Sequence, residues 1–377
     1  MTSRPGRPRI GFDARALAFP AGGVRRYTRE LFSALPVLHP EADFVAVDPP
    51  PGIKLPPGVV RGARAFRLPT NLARMTFALP GAIRRSAVDL FHAPAYTAPL
   101  IGRCPTVLTI HDVSYERRPD FYPHALGPVR RWFYRRSAVC AARIITDSEF
   151  SRAEISAAYG IAASRVDAIP LGVGAPFVGA PPSGVASLAP GVRPPYVLHV
   201  GDLHPRRDLL TALRAVLGIR SRAWDAVPTL RLVCAGVDRG SAETLCRAAA
   251  DAGAPEAVVL LGPVSENDLV SLYQHAAVLV YPSLYEGFGL PVLEAMACGL
   301  PVVAANAGSV PEVLGNAGIL VACGDGRAMA SAVREIISRP DHRAALGARG
   351  RERSKLFSWV QTAQATFAVY RSLLGVP

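Results

Sequence analysis

Residues 285–301, YEGFGLPVLEAMACGLP, decide the fold of this chain. The apolar run before them, residues 276–281 (AAVLVY), is typical of a buried strand. Pro291 suits the first turn of a helix, and Gly299 with the proline after it marks the end of that helix. A strand, a glycine loop and a helix in this order predict one unit of an α/β protein.

The glycine loop lies at the N-terminus of the predicted helix. Its residues are Gly287, Phe288, Gly289 and Leu290. The first amides of a helix have no partner within the helix, and the helix dipole is positive at this end. Because glycine allows a ligand to approach the backbone closely, the loop is suited to hold phosphate oxygens.

Two carboxylates flank the loop. Glu286 stands before it and Glu294 about one turn into the helix. Carboxylates accept paired hydrogen bonds from neighbouring hydroxyls, such as those of a ribose or a hexose. The alternative is an ordinary strand, turn and amphipathic helix with Glu294 on its solvent-facing side.

The composition limits the possible classes of function but does not select one of them. The chain has 377 residues, enough for two domains, and a formal net charge of +13 carried almost wholly by arginine. Such a charge suits nucleic acid, an anionic membrane surface or an anionic substrate.

The six cysteines show no metal-binding spacing, so we expect mostly buried free thiols. Neither a signal-peptide core nor a membrane-spanning run is present, which predicts a cytoplasmic protein with at most peripheral contact at the inner face of the membrane.

Strand-like and helix-like segments alternate in two series, which predicts parallel sheets covered by helices. The first series begins at residues 9–13 (RIGFD) and the second at residues 196–200 (YVLHV). We therefore expect an N-terminal domain over residues 1–175 and a C-terminal domain over residues 196–356. Residues 176–195 are rich in Gly, Pro and Ala and are typical of a linker.

The whole string over residues 282–321 resembles the signature of the retaining family 4 glycosyltransferases, which have the GT-B fold. A second match is HVGDLHPRRDLLTAL, residues 199–213. The resemblance implies two facing Rossmann-like domains with a cleft between them. It assigns the nucleotide sugar to the C-terminal domain and the acceptor to the N-terminal domain, and residues 357–377 to a final helix that crosses back to the first domain.

The resemblance also assigns roles to side chains. Arg206 and Arg207 would bind the diphosphate, where fixed cations stabilise the departing group. Glu294 would hold the ribose and Glu286 the donor sugar near the reacting carbon. His111, at the end of a strand, would line that sugar, whereas the alternative is a histidine that ties down its own loop through Asp112.

The match continues in the N-terminal domain, and a separate loop of the C-terminal domain is the candidate for selecting the base. Gly22 and Gly23 open the first helix, where backbone would approach acceptor or phosphate, and the loop around Val264 would select the base. The chain departs from the family in having Arg207 and Asp208 where Lys and Asn are usual.

The implied reaction is transfer of a hexose with retention, without a metal ion and with no cofactor beyond a GDP- or UDP-linked donor. Mannose is the candidate sugar, and a glycan or lipid-linked molecule is the acceptor. No Asp-x-Asp motif is present to bind a divalent ion. The alternative reading is a non-catalytic nucleotide-sugar-binding or assembly protein of the same fold. A nucleic-acid binder is motivated by charge alone, and the chain lacks clustered aromatic residues for stacking on bases.

Overall fold

A computed structural model describes residues 7–19, 22–122, 127–179, 192–220 and 229–375. The chain forms two compact units. The first unit consists of the chain up to Gly172 together with the C-terminal segment that begins at Ser358. The second unit is Val173–Phe357. Much of the predicted linker, residues 180–191, lies outside the described residues.

The first unit is built on a seven-stranded sheet in which every neighbouring pair of strands is parallel. Its strands are β1 (Arg9–Asp13), β2 (Asp43–Val47), β3 (Val59–Arg61), β4 (Leu90–Ala93), β5 (Thr106–Thr109), β6 (Arg143–Thr146) and β7 (Val166–Ala168). Their order is β3-β2-β1-β4-β5-β6-β7. The strand order therefore changes direction between β1 and β4.

The helices that follow these strands cover the sheet. They are α1 (Gly22–Leu38), α2 (Asn71–Ala73), α3 (Leu79–Arg85), α4 (Ser114–Arg117), α5 (Pro128–Cys140) and α6 (Glu149–Tyr159), with a π-helical turn, Arg74–Ala78, between α2 and α3. As predicted, α1 begins at Gly22. Ser148 caps α6 by accepting a hydrogen bond from the Ser151 amide at 3.0 Å.

The second unit repeats this design with six parallel strands. They are β8 (Tyr196–Val200), β9 (Arg231–Ala235), β10 (Val258–Gly262), β11 (Val278–Tyr281), β12 (Val302–Ala305) and β13 (Ile319–Val321). The order β10-β9-β8-β11-β12-β13 changes direction between β8 and β11. β8 and β11 are buried along their whole length, as expected of central strands in a parallel sheet.

Seven helices lie among the described residues of this unit, each after one of its strands or helices. They are α7 (Leu209–Arg220), α8 (Ala242–Asp251), α9 (Glu266–His275), α10 (Leu290–Ala297), α11 (Val310–Leu314), α12 (Gly326–Ser338) and α13 (Pro340–Ser354). The last helix, α14 (Trp359–Leu374), belongs to the first unit, where it packs on α1. Its Tyr370 hydroxyl lies 2.5 Å from Nδ1 of the buried His92.

The predicted α/β architecture with two parallel sheets is confirmed. β3 was not predicted, because it is a short edge strand of which no residue is fully buried. The expectation of mostly buried cysteines was wrong, since Cys140, Cys246 and Cys323 are exposed and only Cys234 is fully buried. Among the described residues, no helix is both long enough and apolar enough to span a bilayer.

Candidate functional site

The change of strand order in the second unit places two loops side by side. In an open parallel sheet, ligands bind outside the carboxyl ends of the strands where the order reverses. The loop after β8 carries Arg206 and Arg207, and the loop after β11 carries Glu286 and the glycine loop. A backbone hydrogen bond of 2.8 Å from the Leu284 amide to the Arg206 carbonyl joins the two loops.

Arg207 and Glu286 form a buried ion pair at this point. Arg207 ends a 3-10 helix, Pro205–Arg207, and its Nη1 donates to the Glu286 carboxylate and to the Tyr281 hydroxyl. The same nitrogen lies 3.2 Å from Ser283 Oγ. Arg207 is 8% exposed and Glu286 4% exposed, so the two charges neutralise each other away from water.

The surroundings keep the arginine charged and its neighbours neutral. Burial acts to lower the pKa of Arg207, but the Glu286 carboxylate raises it overall above its usual value. His199 stacks on Tyr281 with ring centroids 5.9 Å apart, and burial lowers the pKa of this histidine to about 3. The ion pair is thus the charged centre of a cluster whose imidazole and phenol are neutral at pH 7.

Asp208 has a structural explanation. It lies in the left-handed backbone region, with φ of 46°, and ends the 3-10 helix. Asparagine and aspartate enter this region more readily than most other residues. Its carboxylate accepts a hydrogen bond of 2.6 Å from Thr211 Oγ1 at the start of α7. Aspartate is therefore compatible with this turn, at the position where the family resemblance leads us to expect asparagine.

The backbone of Glu286 is held from behind by the loop before α11. The Ser309 amide and hydroxyl both lie 3.1 Å from the Glu286 carbonyl oxygen. Gly308 has φ of +59°, and a Cβ there would lie 2.6 Å from the same oxygen. Sequence reasoning missed both residues, although Gly308 stands within the matched string.

The glycine loop opens α10 as predicted. Gly289 precedes the helix with φ of +100°, a left-handed conformation that favours glycine, and Gly287, Phe288 and Gly289 are buried while Leu290 is half-buried. Phe288 packs edge to face on Phe357 of the same unit at 5.9 Å between ring centroids.

Glu294 is buried, not on a solvent-facing surface of α10. It is 2% exposed, and one of its carboxylate oxygens accepts a hydrogen bond of 2.8 Å from the Tyr273 hydroxyl. The alternative of an amphipathic helix with Glu294 in solvent is therefore wrong. Val264 is half-buried in the connection from β10 to α9, near Gly262, which has φ of +67°.

In the first unit, His111 follows β5 and pairs with Asp147, which follows β6. Nδ1 of the ring lies 2.8 Å from Asp147 Oδ2, and Nε2 lies 3.2 Å from the Pro94 carbonyl oxygen. Burial opposes protonation, but the Asp147 carboxylate raises the pKa of His111 overall above its usual value. The predicted alternative partner, Asp112, instead accepts hydrogen bonds from Ser114.

Gly22 and Gly23 are exposed at the start of α1, and a Cβ at either position would meet no atom within 4 Å. Packing of the described residues therefore does not require glycine there. Within the same described residues, no three of His, Cys, Asp and Glu form a group that could hold a metal ion.

A cavity of about 730 Å³ lies in the first unit, near the change of strand order between β1 and β4. Asp13 binds Arg15 at 2.6 Å, and Arg15 Nη1 lies 3.1 Å from the Asn71 side-chain oxygen. Tyr96, another lining residue, has φ of 54°, which an aromatic residue rarely adopts. Sequence analysis did not assign these residues a function. The feature that could have indicated the cavity is Asp13 at the carboxyl end of the first strand, where ligands bind in open parallel sheets.

Two family models match the chain, one in each unit. Residues 21–175 match Glycosyltransferase Family 4, and residues 186–353 match Glycosyl transferases group 1. The O-antigen chain mannosyltransferase B of Escherichia coli is 29% identical over 75% of this chain and 74% of its own. The D-inositol 3-phosphate glycosyltransferase of Kineococcus radiotolerans is 29% identical over 92% of this chain and 86% of its own.

Solved structures show the same fold. The sucrose-phosphate synthase of Thermosynechococcus elongatus aligns with a TM-score of 0.75 at 23% identity, covering 98% of this chain and 99% of its own. The fold and the two family matches define the class, a glycosyltransferase with the GT-B fold. The chain belongs to the family 4, group 1 glycosyltransferases, which confirms the predicted family, fold and enzyme class.

Proposed function

We propose that the protein moves a hexose from a nucleoside-diphosphate sugar to a hydroxyl of a glycan or lipid-linked acceptor, with retention of configuration. The bond from the sugar C1 to the diphosphate oxygen breaks, and a bond from C1 to the acceptor oxygen forms. The leaving phosphate takes the proton of the acceptor hydroxyl. The observation that carries this proposal is the buried pair of Arg207 and Glu286 at the change of strand order.

The donor would lie on the second unit. Arg206, which is half-buried, and Arg207 would face the diphosphate, and the amides from Gly287 to Leu290 would add hydrogen bonds at the start of α10. Glu294 would hold the ribose hydroxyls, and the connection around Val264 would meet the base. Glu286 would accept hydrogen bonds from the sugar while it orients Arg207.

Positive charge at the leaving group would come from side chains in this mechanism. Arg206, with Arg207 beside it in the Glu286 ion pair, would supply it without a divalent ion, and we propose a metal-independent reaction with no further cofactor. Fixed cations stabilise the developing charge on the departing diphosphate. We retain for His111 the role of a contact to the reacting sugar. Its ring is oriented by Asp147, as a hydrogen-bonding imidazole requires.

The acceptor would bind in the cavity of the first unit. Asp13, Arg15 and Asn71 offer hydrogen-bonding groups at one wall, and the Tyr96 and Tyr134 rings stack with centroids 6.2 Å apart at another. Polar groups beside aromatic rings suit a sugar, which has hydroxyl edges and apolar faces. The Escherichia coli relative is named a mannosyltransferase, and we propose mannose as the first sugar to test.

We also propose peripheral contact with an anionic membrane through α5. This helix buries Phe133, Ser137 and Ala138 and turns Val129 and Trp132 outward, with 63% and 54% exposure. A helix that exposes apolar residues beside arginines is suited to the interface of an anionic bilayer. The protein would then work at the cytoplasmic face of the membrane.

Glu286→Gln tests the proposed reaction. The amide keeps the shape of the side chain but not its charge, so we expect transfer from the best-binding nucleotide sugar to fall by about a hundredfold or more. The donor is chosen first from a panel of nucleotide sugars by the rise in melting temperature that each causes. Glu335→Gln, on the surface of α12, is the control and should retain full activity.

The alternative of a non-catalytic binding protein gives a different pattern. It predicts that a nucleotide sugar raises the melting temperature but that the wild type transfers no sugar. Glu286→Gln and the wild type would then show the same absence of transfer. If Glu286→Gln fails to fold, the residue is structural, and Tyr281→Phe tests the same cluster with a smaller change. Wild-type transfer rates in both Glu286→Gln and Tyr281→Phe would contradict the proposed reaction.

A further inference from the structure

A groove between α7 and α12 in the second unit is not used by the proposed reaction. Its volume is about 850 Å³. The lining residues include Arg214, Gly218, Asp325, Gly326, Arg327 and Arg334. None of them belongs to the loops after β8 and β11 that form the candidate donor site.

Three arginines line this groove and are not neutralised by the protein. Arg214 comes from α7, and Arg327 and Arg334 come from α12. Within the described ranges, none of the three has a hydrogen-bonding or ion-pair partner. The one lining carboxylate, Asp325, caps α12 and accepts a hydrogen bond of 2.9 Å from the Ala328 amide.

Three guanidinium groups line one concavity, and no ion pair within the described protein balances their charge. Arginine donates paired hydrogen bonds that match the oxygens of a phosphate or carboxylate. A bound anion would supply the negative charge that the protein itself does not place beside these arginines. The groove is therefore suited to bind an anionic ligand.

The spacing of the arginines indicates what kind of anion fits. Arg327 and Arg334 are two turns apart on one face of α12, so their backbones are separated by about 10 Å along the helix axis. A single phosphate is small beside that distance and beside the volume of the groove. Two phosphate groups held apart on one carbon skeleton fit both.

Two glycines shape the groove. A Cβ at Gly326 would lie 3.3 Å from the Cβ of Arg214, so the start of α12 packs tightly against α7. Gly218 lies inside α7 with a helical backbone, and a Cβ there would meet no atom within 4 Å. Glycine is unfavourable in a helix interior, but at this position it leaves the groove wide.

We propose that this groove is a second ligand site, which binds a small molecule that carries two separated phosphate groups, such as a sugar bisphosphate. The site is distinct from that of the nucleotide sugar, and its existence does not depend on the proposed reaction. Because α7 begins directly after the Arg206 and Arg207 loop, the ligand would contact the helix that follows the donor site.

Calorimetric titration with fructose 1,6-bisphosphate at about 0.1 M salt tests the proposal. We expect measurable binding to the wild type and at least about tenfold weaker binding to Arg327→Ala/Arg334→Ala, because two paired contacts are lost. The matched control is Arg247→Ala/Arg349→Ala, which removes the same charge from exposed positions on α8 and α13. The control should bind as the wild type does.

Ser331→Glu provides a second variant, since this exposed lining residue tolerates a polar side chain while the added charge should repel the probe. Inorganic phosphate should compete only weakly. The proposal is overturned if the wild type does not bind the probe, or if the groove and control variants lose affinity equally, which would indicate general attraction to a basic protein. If Arg206→Ala loses binding while the groove variants bind the probe as the wild type does, the probe binds at the donor site. That outcome would also overturn the proposal.

Discussion

Arg207 places one nitrogen where three acceptors meet. Nη1 faces the Tyr281 hydroxyl, the Ser283 hydroxyl and the Glu286 carboxylate, while the buried Nε has no partner among the described residues. A guanidinium nitrogen of this kind carries two hydrogens, whereas an ammonium carries three donors on one atom. The compact ammonium of a lysine, the residue that the family resemblance leads us to expect here, would therefore also suit this cluster.

Arg207→Lys should preserve the cluster. We expect its free energy of unfolding to stay within about 1 kcal/mol of the wild type, and its kcat/KM within about threefold, because the ammonium can satisfy all three acceptors. Arg207→Ala leaves Glu286 buried without a counter-charge and should cost about 3–5 kcal/mol. Thermal unfolding and steady-state transfer measure both effects. A lysine variant as impaired as the alanine variant would show that the fork of the guanidinium itself is required.

The pairing of these residues could not be predicted from the chain alone. Arg207 and Glu286 are 79 positions apart, and only the adjacency of β8 and β11 brings their loops together. Through the family resemblance, the sequence predicts a donor-site role for both residues. It assigned them to different parts of the donor, because a motif carries no information about contacts between distant side chains.

At the scale of elements, the connection from β12 to α11 supports the site although it contributes no charged group to it. Ser309 binds the Glu286 carbonyl through two donors, and Gly308 lies against the same peptide in a left-handed conformation. Short, rigid supports of this kind fix the position of a reacting group to within a fraction of an ångström, on which the rate depends.

Gly308→Ala should damage the site without touching a ligand. The added methyl would lie 2.6 Å from the Glu286 carbonyl oxygen, so that peptide must move. We expect kcat to fall by about tenfold or more and stability to fall by more than the ~1 kcal/mol of the conformational strain alone. Gly253→Ala is the matched control, with φ of +70° and open space around the Cβ. Equal kcat in the two variants would contradict a supporting role for Gly308.

The strands and helices could be predicted from the sequence more readily than the contacts between distant segments. The sequence located β1 and β8 at their observed bounds, because buried apolar runs between turn residues specify such strands strongly. It did not reveal the cavity of the first unit. That cavity is lined by residues from segments that the strand order brings together, including Asp13, Asn71 and Tyr96, and no local pattern marks such a set.

At the scale of the whole molecule, the formal net charge of +13 acts over distances longer than any single contact. In the proposed membrane contact, this charge would draw the protein towards an anionic surface, and exposed apolar residues would decide which part of the protein stays in contact. α5 combines both properties, since Trp132 is exposed beside Arg135 and Arg136. Charge alone would give weak binding with no preferred face.

Binding to lipid vesicles separates these two contributions. We expect the wild type to sediment with vesicles of phosphatidylglycerol and phosphatidylcholine, and to be released as salt shortens the Debye length below about 10 Å. Trp132→Ala/Arg135→Ala/Arg136→Ala should weaken binding by more than about tenfold, since each arginine near an anionic surface contributes ~1 kcal/mol. Leu356→Ala/Arg247→Ala/Arg349→Ala removes the same charge and one exposed apolar residue from the second unit and should bind normally. Equal losses in the two triple variants would mean that net charge, and not α5, directs the protein to the membrane.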